Sequence, residues 1–230
     1  MKRVAFIQLV LTAFLIVGLT RLAHATTDEL KLTSGTSTVT IMDNGVGDSN
    51  FESDTILYNN PNFDGWKISF VGGTSNSPTV SPFGIEIGSL TAKCLSGRGC
   101  TNHTLSISYS ATGFTDPVAA FTNTFSSTIA RGSASQMAWD DTSNTIFGTG
   151  TPIGTVIPLT APSGAGSKSG GGPAGPGVYS LTLKDTIAAN SQGVSLDGSI
   201  TAVPEAQTLV LFGSGLISLA GLLRRKLVRA

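Results

Sequence analysis

The stretch Leu105-Ser106-Ile107-Ser108-Tyr109-Ser110 alternates apolar and polar side chains, and the stretch Tyr179-Ser180-Leu181-Thr182-Leu183-Lys184 repeats this alternation. In an extended chain successive side chains point to opposite faces, so each stretch predicts a strand with one buried face. Shorter runs at 38–41 and 66–71 follow the same period and are bounded by Gly, Asn and Pro residues. No comparable amphipathic helix of about ten residues or more occurs between residues 26 and 202, so this part of the chain is predicted to be all-β.

About ten segments of residues 26–202 fit the strand pattern. They lie at residues 30–41, 54–58, 65–71, 84–93, 104–111, 121–130, 134–139, 153–159, 178–187 and 194–201. Ten strands favour an antiparallel β-sandwich, jelly-roll-like, over a small barrel. Residues 161–177 contain seven glycines and three prolines, which predicts a flexible exposed loop. A domain linker is less favoured there, because the residues that follow fit a last pair of strands.

The charge of the chain is distributed unevenly. The 230 residues are the size of one domain, and the formal net charge is zero. Residues 26–202 nevertheless hold 13 acidic and 7 basic residues, because half of the basic residues lie near the two ends. An acidic domain without a basic stripe argues against a nucleic-acid partner.

The N-terminal 25 residues have the three parts of an export signal. Lys2 and Arg3 precede an apolar run over residues 4–19, and Ala23 and Ala25 supply the small side chains of a signal peptidase site. We therefore predict a signal-peptide helix over residues 1–25 and cleavage after Ala25. An uncleaved anchor is the alternative, although the run is short for a hydrocarbon core of about 30 Å.

The two cysteines, Cys94 and Cys100, are six positions apart. An even cysteine count in an exported chain predicts a disulfide, and closing so short a loop stabilises the fold by about 2 kcal/mol. Free thiols and a zinc site with nearby His103 are the alternatives, and the zinc ligand set would be incomplete.

The C-terminal residues 203–230 form a second signal. Val203, Pro204 and Glu205 precede an apolar stretch over residues 206–223, and Arg224, Arg225 and Lys226 follow it. Eighteen helical residues span about 27 Å, which predicts a transmembrane helix with its basic end in the cytoplasm. A cleaved signal at the N-terminus then places residues 26–202 outside the cytoplasm, as the extracellular domain.

This tail resembles the PEP-CTERM sorting domain of Gram-negative bacteria. The matching residues are Val203-Pro204-Glu205, Thr208-Leu209, Gly213, Gly215, Leu216, Leu219-Ala220 and Arg224-Arg225; Ala206 stands where the family has a second proline. The resemblance implies processing by exosortase, a membrane transpeptidase-like enzyme, and a host that makes exopolysaccharide and biofilm. It also implies that Glu205 is a recognition residue. A plain single-span anchor is the alternative.

No catalytic set is evident in residues 26–202. Their single histidine, His103, is interpreted as a surface or turn residue, and no Gly-x-Ser-x-Gly elbow occurs. The segment 164–169 departs from a phosphate-binding loop, and Asp43–Asn50 is interpreted as a turn, with calcium binding as the alternative. Carboxylates such as Glu86, Asp140 and Asp141 leave a glycosidase pair open. No cofactor or resident metal is predicted.

Four aromatic residues, Trp66, Trp139, Tyr58 and Tyr109, are interpreted mainly as core residues of the sandwich, with a sugar-stacking platform as the alternative. The sequence thus predicts an exported, non-enzymatic surface or extracellular-matrix protein. Its partners would be signal peptidase and exosortase during export, the membrane through the C-terminal helix before processing, and exopolysaccharide. A carbohydrate-binding module is the alternative function, and a secreted glycan-active enzyme is the third.

Overall fold

A computed structural model describes residues 27–75, 84–95, 99–115, 118–172 and 177–203. These residues form thirteen strands and one short 3-10 helix, Gly99–Thr101. The strands are β1 Thr27–Ser34, β2 Ser37–Met42, β3 Thr55–Phe63, β4 Trp66–Ser75, β5 Gly84–Cys94, β6 Leu105–Phe114, β7 Ala120–Arg131, β8 Ser133–Asp141, β9 Thr151–Pro152, β10 Ile157–Thr160, β11 Ser163–Gly171, β12 Tyr179–Ile187 and β13 Gln192–Val203.

The strands pair in two antiparallel sheets. The seven-stranded sheet has the order β10-β8-β12-β6-β1-β2, with β9 paired to β8. The six-stranded sheet has the order β11-β7-β13-β5-β4-β3. The chain crosses between the sheets repeatedly after β5, so neighbours within each sheet are mostly distant in sequence.

The two stretches with the clearest alternation are neighbours at the centre of the seven-stranded sheet. Leu183 of β12 pairs with Tyr109 of β6, and both side chains are fully buried. The two sheets pack face to face, and the side chain of Gln136 in β8 reaches the other sheet, where its Nε2 donates to the Thr124 carbonyl of β7 at 2.7 Å. Buried side chains from both sheets form one hydrophobic core. The prediction of an antiparallel β-sandwich is confirmed.

Three details of the strand prediction are wrong. The predicted strand 153–159 is a strand only from Ile157 onward, as β10. Segment 30–41 contains two strands, β1 and β2, because a tight turn at Gly35 with a positive φ of 55° reverses the chain. The predicted flexible loop at 161–177 is instead largely strand β11, which pairs with β7 from Ser163 opposite Thr128 to Gly171 opposite Ala120.

Glycine makes strand β11 possible through close packing. A Cβ on Gly166 would lie 2.5 Å from Ile157 Cγ2, and a Cβ on Gly164 would lie 2.9 Å from Leu159 Cδ2. Real Cβ atoms do not approach so closely, so the glycines let β11 lie directly against β10. Packing against a neighbour thus outweighs the low strand propensity of glycine.

The described chain begins and ends at the same end of the sandwich. Thr27 pairs with Thr112 near the end of β6, and Val203 pairs with Ala120 at the start of β7. A short connection joins β6 to β7, so both chain ends lie beside it. We call this the terminal end. The opposite end is the disulfide end, because it carries the predicted Cys94–Cys100 disulfide, which the structure confirms.

The predicted signal-peptide helix and C-terminal transmembrane helix lie outside the described residues. Within the described ranges no helix is long and apolar enough to cross a membrane. The jelly-roll description of the topology remains a prediction.

Candidate functional site

The outer face of the six-stranded sheet is covered by hydroxyl side chains. Along β7 the buried residues Phe121, Phe125 and Ile129 point into the core, so the alternate residues point outward. Strands β11 and β13 alternate in the same way. We call this surface the hydroxyl face, and its Ser and Thr residues are Thr122, Thr124, Ser126, Thr128, Ser163, Ser167, Ser169, Ser195, Ser199 and Thr201.

The strand register arranges these hydroxyl groups in rows. One row crosses four strands from Ser167 through Thr124 and Ser199 to Glu86. Within it the hydroxyl groups of Thr124 and Ser199 are hydrogen-bonded at 2.7 Å. Neighbouring strands are about 4.8 Å apart, so each row presents polar groups at a regular spacing.

A shallow depression of about 500 Å³ lies at the centre of the hydroxyl face. Its lining includes the hydroxyl groups of Thr124, Ser126 and Ser199 and two carboxylates, Glu86 and Asp197. Both carboxylates belong to the neighbouring central strands β5 and β13. The depression therefore presents two kinds of hydrogen-bonding group on one open surface. The carboxylates accept hydrogen bonds, and the hydroxyl groups both donate and accept them.

Asp197 faces outward by the alternation of β13, and a β-bulge of the neighbouring strand β5 lies opposite it. The pairing between β13 and β5 shifts register between Leu196 and Gly198, and Ser89 adopts a positive φ of 55° beside this shift. The Ser89 amide donates to Asp197 Oδ1 at 2.8 Å, which fixes the carboxylate at the sheet surface. The outward position thus follows from sequence alternation, whereas the hydrogen bond from Ser89 depends on the bulge, which the sequence pattern does not indicate.

The interpretation of the four aromatic residues as core residues is confirmed for three of them, so the alternative sugar-stacking platform is not formed by these three. Trp66 and Tyr109 are fully buried and Tyr58 is buried, whereas Trp139 is half-buried. Tyr109 shares the inward face of β6 with Leu105 and Ile107, because these residues are spaced at intervals of two along the strand. The buried aromatic rings are part of the hydrophobic core.

His103 lies at the disulfide end in a small polar cluster. Its Nδ1 is 2.7 Å from Asp64 Oδ2, and the Ser34 hydroxyl donates to the same oxygen at 2.8 Å. The contact with His103 is the main cause that lowers the pKa of Asp64 below its usual value, and Ser34 adds to it. The Ser34 hydroxyl is hydrogen-bonded to the Asp64 carboxylate and not to the His103 ring. The cluster therefore does not have the nucleophile-to-histidine hydrogen bond of a hydrolase. It ties together the β1–β2 turn, the β3–β4 turn and the disulfide loop.

The oxygen-rich loop Asp43–Asn50 is organised as a turn. Asp48 Oδ1 accepts hydrogen bonds from the amides of Asn50 and Leu57, both at 2.9 Å, and Oδ2 accepts from the Asn44 amide at 3.0 Å. The turn interpretation is therefore confirmed. Across the part of the chain that the structure describes, no group of three or more His, Cys, Asp or Glu residues is arranged to hold a metal.

Three buried carboxyl groups of the sandwich have raised pKa values. Burial raises the pKa of Asp28 to about 6, against hydrogen bonds from Ser75 and Tyr109 that lower it. Burial also raises the pKa of Asp140 and, most strongly, that of Asp185. Asp140 is therefore a buried structural group, and neighbouring Asp141 accepts from the Ser143 amide at 3.0 Å in a turn.

The residues of the two sorting signals lie almost entirely outside the described ranges. These are Ala23 and Ala25 of the signal peptidase site, Pro204 and Glu205 of the sorting motif, and Arg224, Arg225 and Lys226 of the basic tail. Val203 is described, and it is the last residue of β13, with 39% of its side chain exposed.

No protein-family model matches the chain, and no curated protein matches it. Solved structures give weak matches. The enzymatically active domain of a tailspike protein from bacteriophage CBA120 is 13% identical, with a TM-score of 0.34; the match covers 68% of this chain and only 21% of the tailspike chain.

Two further matches are carbohydrate-binding domains. TmCBM61, solved with β-1,4-galactotriose, is 7% identical over 66% of this chain and 90% of its own, with a TM-score of 0.31. The N-terminal cellulose-binding domain of Cellulomonas fimi β-1,4-glucanase C is 12% identical over 51% of this chain and 80% of its own, with a TM-score of 0.32. None of these similarities assigns a function to this chain.

Proposed function

We propose that this chain is an exported binding protein whose hydroxyl face holds an extended polysaccharide. The observation that carries the proposal is the open depression of about 500 Å³, lined by hydroxyl groups and the carboxylates of Glu86 and Asp197. Pockets for small molecules are mostly concave. This depression is shallow and open, which fits a long polymer better, because such a ligand makes many modest contacts along its length.

Hydrogen-bond chemistry supports a polyhydroxylated ligand. A Ser or Thr hydroxyl donates one hydrogen bond and accepts two, and a carboxylate accepts several. Sugar hydroxyl groups have the same dual character, so each row of the hydroxyl face can exchange hydrogen bonds with successive sugar units. Hydrogen bonds to Glu86 and Asp197 are charge-assisted and would be the stronger contacts.

We further propose that the protein acts outside the cytoplasm as a non-enzymatic surface or matrix component. The Cys94–Cys100 disulfide supports an oxidising compartment. The PEP-CTERM-like tail supports anchoring of the precursor through residues 206–223 and processing by exosortase, and the signal-like residues 1–25 support export. Exopolysaccharide is then the polymer available at the site of action.

Binding is tested by calorimetric titration of the protein with soluble exopolysaccharide from a biofilm-forming Gram-negative host. Ser126→Trp places a large ring in the depression, and we expect at least a tenfold loss of affinity. Lys184→Trp is the matched control, because Lys184 is an exposed strand residue of the other sheet. Equal binding by both variants would exclude the hydroxyl face as the site.

The two carboxylates favour a second candidate function, hydrolysis of the bound glycan. Glycosidases use an Asp or Glu pair separated by about 5–9.5 Å. Release of reducing ends that disappears in Glu86→Gln, with binding retained, would establish this alternative. Binding without release is the result that the primary proposal expects.

Processing is tested by intact mass and C-terminal peptide mapping of the protein from its native host. A chain that starts at Thr26 and ends near residues 203–206 is expected in the extracellular fraction. A chain that ends at Ala230 and stays in the membrane would indicate a plain anchor.

A further inference from the structure

The exposed apolar side chains of the described residues collect at one end of the sandwich. The large hydrophobic residues with substantial exposure are Met42, Val46, Phe51, Val156, Val178 and Val203. All except Val156 lie at the terminal end, where the strands and connections that carry them meet. Val46 is 100% exposed and Phe51 is 90% exposed, although large apolar residues are usually at least partly covered in a soluble domain.

The register of the six-stranded sheet places these side chains beside the exit of the chain. Thr55, which follows the loop of Val46 and Phe51, pairs with Thr74; the adjacent Ser75 pairs with Ile85. Gly84 in turn pairs with Thr201, two residues before the last described residue. Three strand spacings separate the loop from β13, a distance of about 14 Å.

The loop that carries Val46 and Phe51 is held in a defined shape. Asp48 accepts three backbone hydrogen bonds, and Asp43 Oδ2 accepts from the Asp54 amide at 3.1 Å. These contacts turn the carboxylates toward the backbone. The two apolar side chains are left as projections from an ordered turn.

We propose that the terminal end lies on the membrane surface, with Val46 and Phe51 in the headgroup layer of the bilayer. This inference rests on the proposed anchoring of the precursor through residues 206–223. Only two residues separate Val203 from the start of that apolar stretch, and three extended steps span at most about 10 Å. The headgroup layer is itself about 5–7 Å thick on each side, so the terminal end must lie within reach of it.

The charge of this loop indicates which lipid surface it fits. Residues 43–54 contain four carboxylates and no basic side chain. An anionic surface would repel the loop at low salt. The proposal therefore specifies a zwitterionic surface, such as phosphatidylethanolamine, contacted through apolar insertion.

The test uses the full-length protein reconstituted into phosphatidylethanolamine–phosphatidylcholine vesicles. Val46→Cys gives a single free thiol for a fluorescent label, because both native cysteines of the described domain are in the disulfide. Thr36→Cys is the matched control, since Thr36 is an exposed turn residue at the disulfide end. We expect a lipid carrying a headgroup-level quencher to quench the label at position 46 at least twice as strongly as the label at position 36.

Equal weak quenching at both positions in vesicle-inserted protein would overturn the proposed orientation while leaving the anchor intact. Protein that fails to insert, and is removed from the vesicles by alkaline extraction, would overturn the anchor and this proposal together. Phe51→Ser in the Val46→Cys protein gives a second readout, because losing the larger apolar projection should reduce quenching at position 46. Replacing the zwitterionic lipid with phosphatidylglycerol at low salt should also reduce quenching.

Discussion

Asp185 provides a direct test of how the core of this sandwich responds to pH. It lies in β12 opposite Gln136 and Ile107, it is fully buried, and neither of its carboxyl oxygens has a hydrogen-bond partner among the described residues. Burial raises its pKa well above the usual value, and the nearby charge of Asp197 adds to this effect. The folded protein therefore keeps Asp185 protonated at a pH where the unfolded chain has lost that proton.

The sign and size of the effect follow from proton linkage. In the unfolded chain Asp185 titrates near a pKa of about 3.9, and each pH unit above this value costs the folded state about 1.4 kcal/mol until its own pKa is reached. Wild-type stability due to this residue is thus fully present below pH 4 and is lost as pH rises.

Asp185→Asn removes this titration and keeps the shape of the side chain. We expect the free energy of unfolding of the variant, relative to wild type, to increase as the pH rises above 4, by at most about 1.4 kcal/mol per pH unit. Urea denaturation at pH 4, 5, 6 and 7 measures the difference. A pH-independent offset is expected because the amide adds buried donors, so the slope is the readout.

Glu52→Gln is the matched control, because Glu52 is exposed on the loop at the terminal end. Its difference from wild type should not show the Asp185 slope. A flat difference for Asp185→Asn over the same pH range would refute the reasoning, since it would mean that Asp185 titrates alike in the folded and unfolded states.

Three further predictions concern other parts of the core. The pKa of Asp28 is raised to about 6, so its contribution to the free energy of unfolding of the wild type falls by about 3 kcal/mol between pH 4 and pH 6. Asp28→Asn should abolish this fall, and urea denaturation that shows no such pH-dependent difference between variant and wild type would contradict the prediction. Gly73→Ala places a Cβ against the Tyr109 ring and should cost about 1–3 kcal/mol, measured as a lower Tm; an unchanged Tm would show that the ring moves aside freely. Replacing both Cys94 and Cys100 with Ser should cost about 2 kcal/mol in urea denaturation, and a stability equal to wild type in oxidising buffer would argue against the entropic account.

The fold class was predictable because its signal is local. Leu105, Ile107 and Tyr109 alternate with serines, so their shared burial follows from the period of a strand alone. The same reasoning places Tyr109 in the core and opposes its assignment to a sugar platform. Strand β11 was not predictable in this way, because glycine has low strand propensity and its advantage there comes from contacts with Ile157 and Leu159.

The candidate site was hidden for a different reason. Ser and Thr residues occur throughout the middle of the chain, so Thr124, Ser199 and Ser167 carry no individual signal in the sequence. Their row exists only through the pairing of β11, β7 and β13, which are separated in sequence and joined by long-range register. Asp197 faces outward by the alternation of β13, but the hydrogen bond that it accepts from the Ser89 amide depends on a bulge in β5 that the sequence pattern does not indicate.

The glycines of β11 are needed both for strand β11 itself and for the depression of the hydroxyl face, and neither feature could be predicted from the sequence. Their lack of side chains lets β11 lie against β10, and this packing holds Ala165 and Ser167 at the rim of the depression. A larger residue on the inner side, at Gly166, would displace the strand away from Ile157 and thereby move the outer hydroxyl groups out of register. Fold and proposed binding surface therefore depend on the same small residues, and a segment that resembles a linker by composition is the edge on which the hydroxyl face is completed.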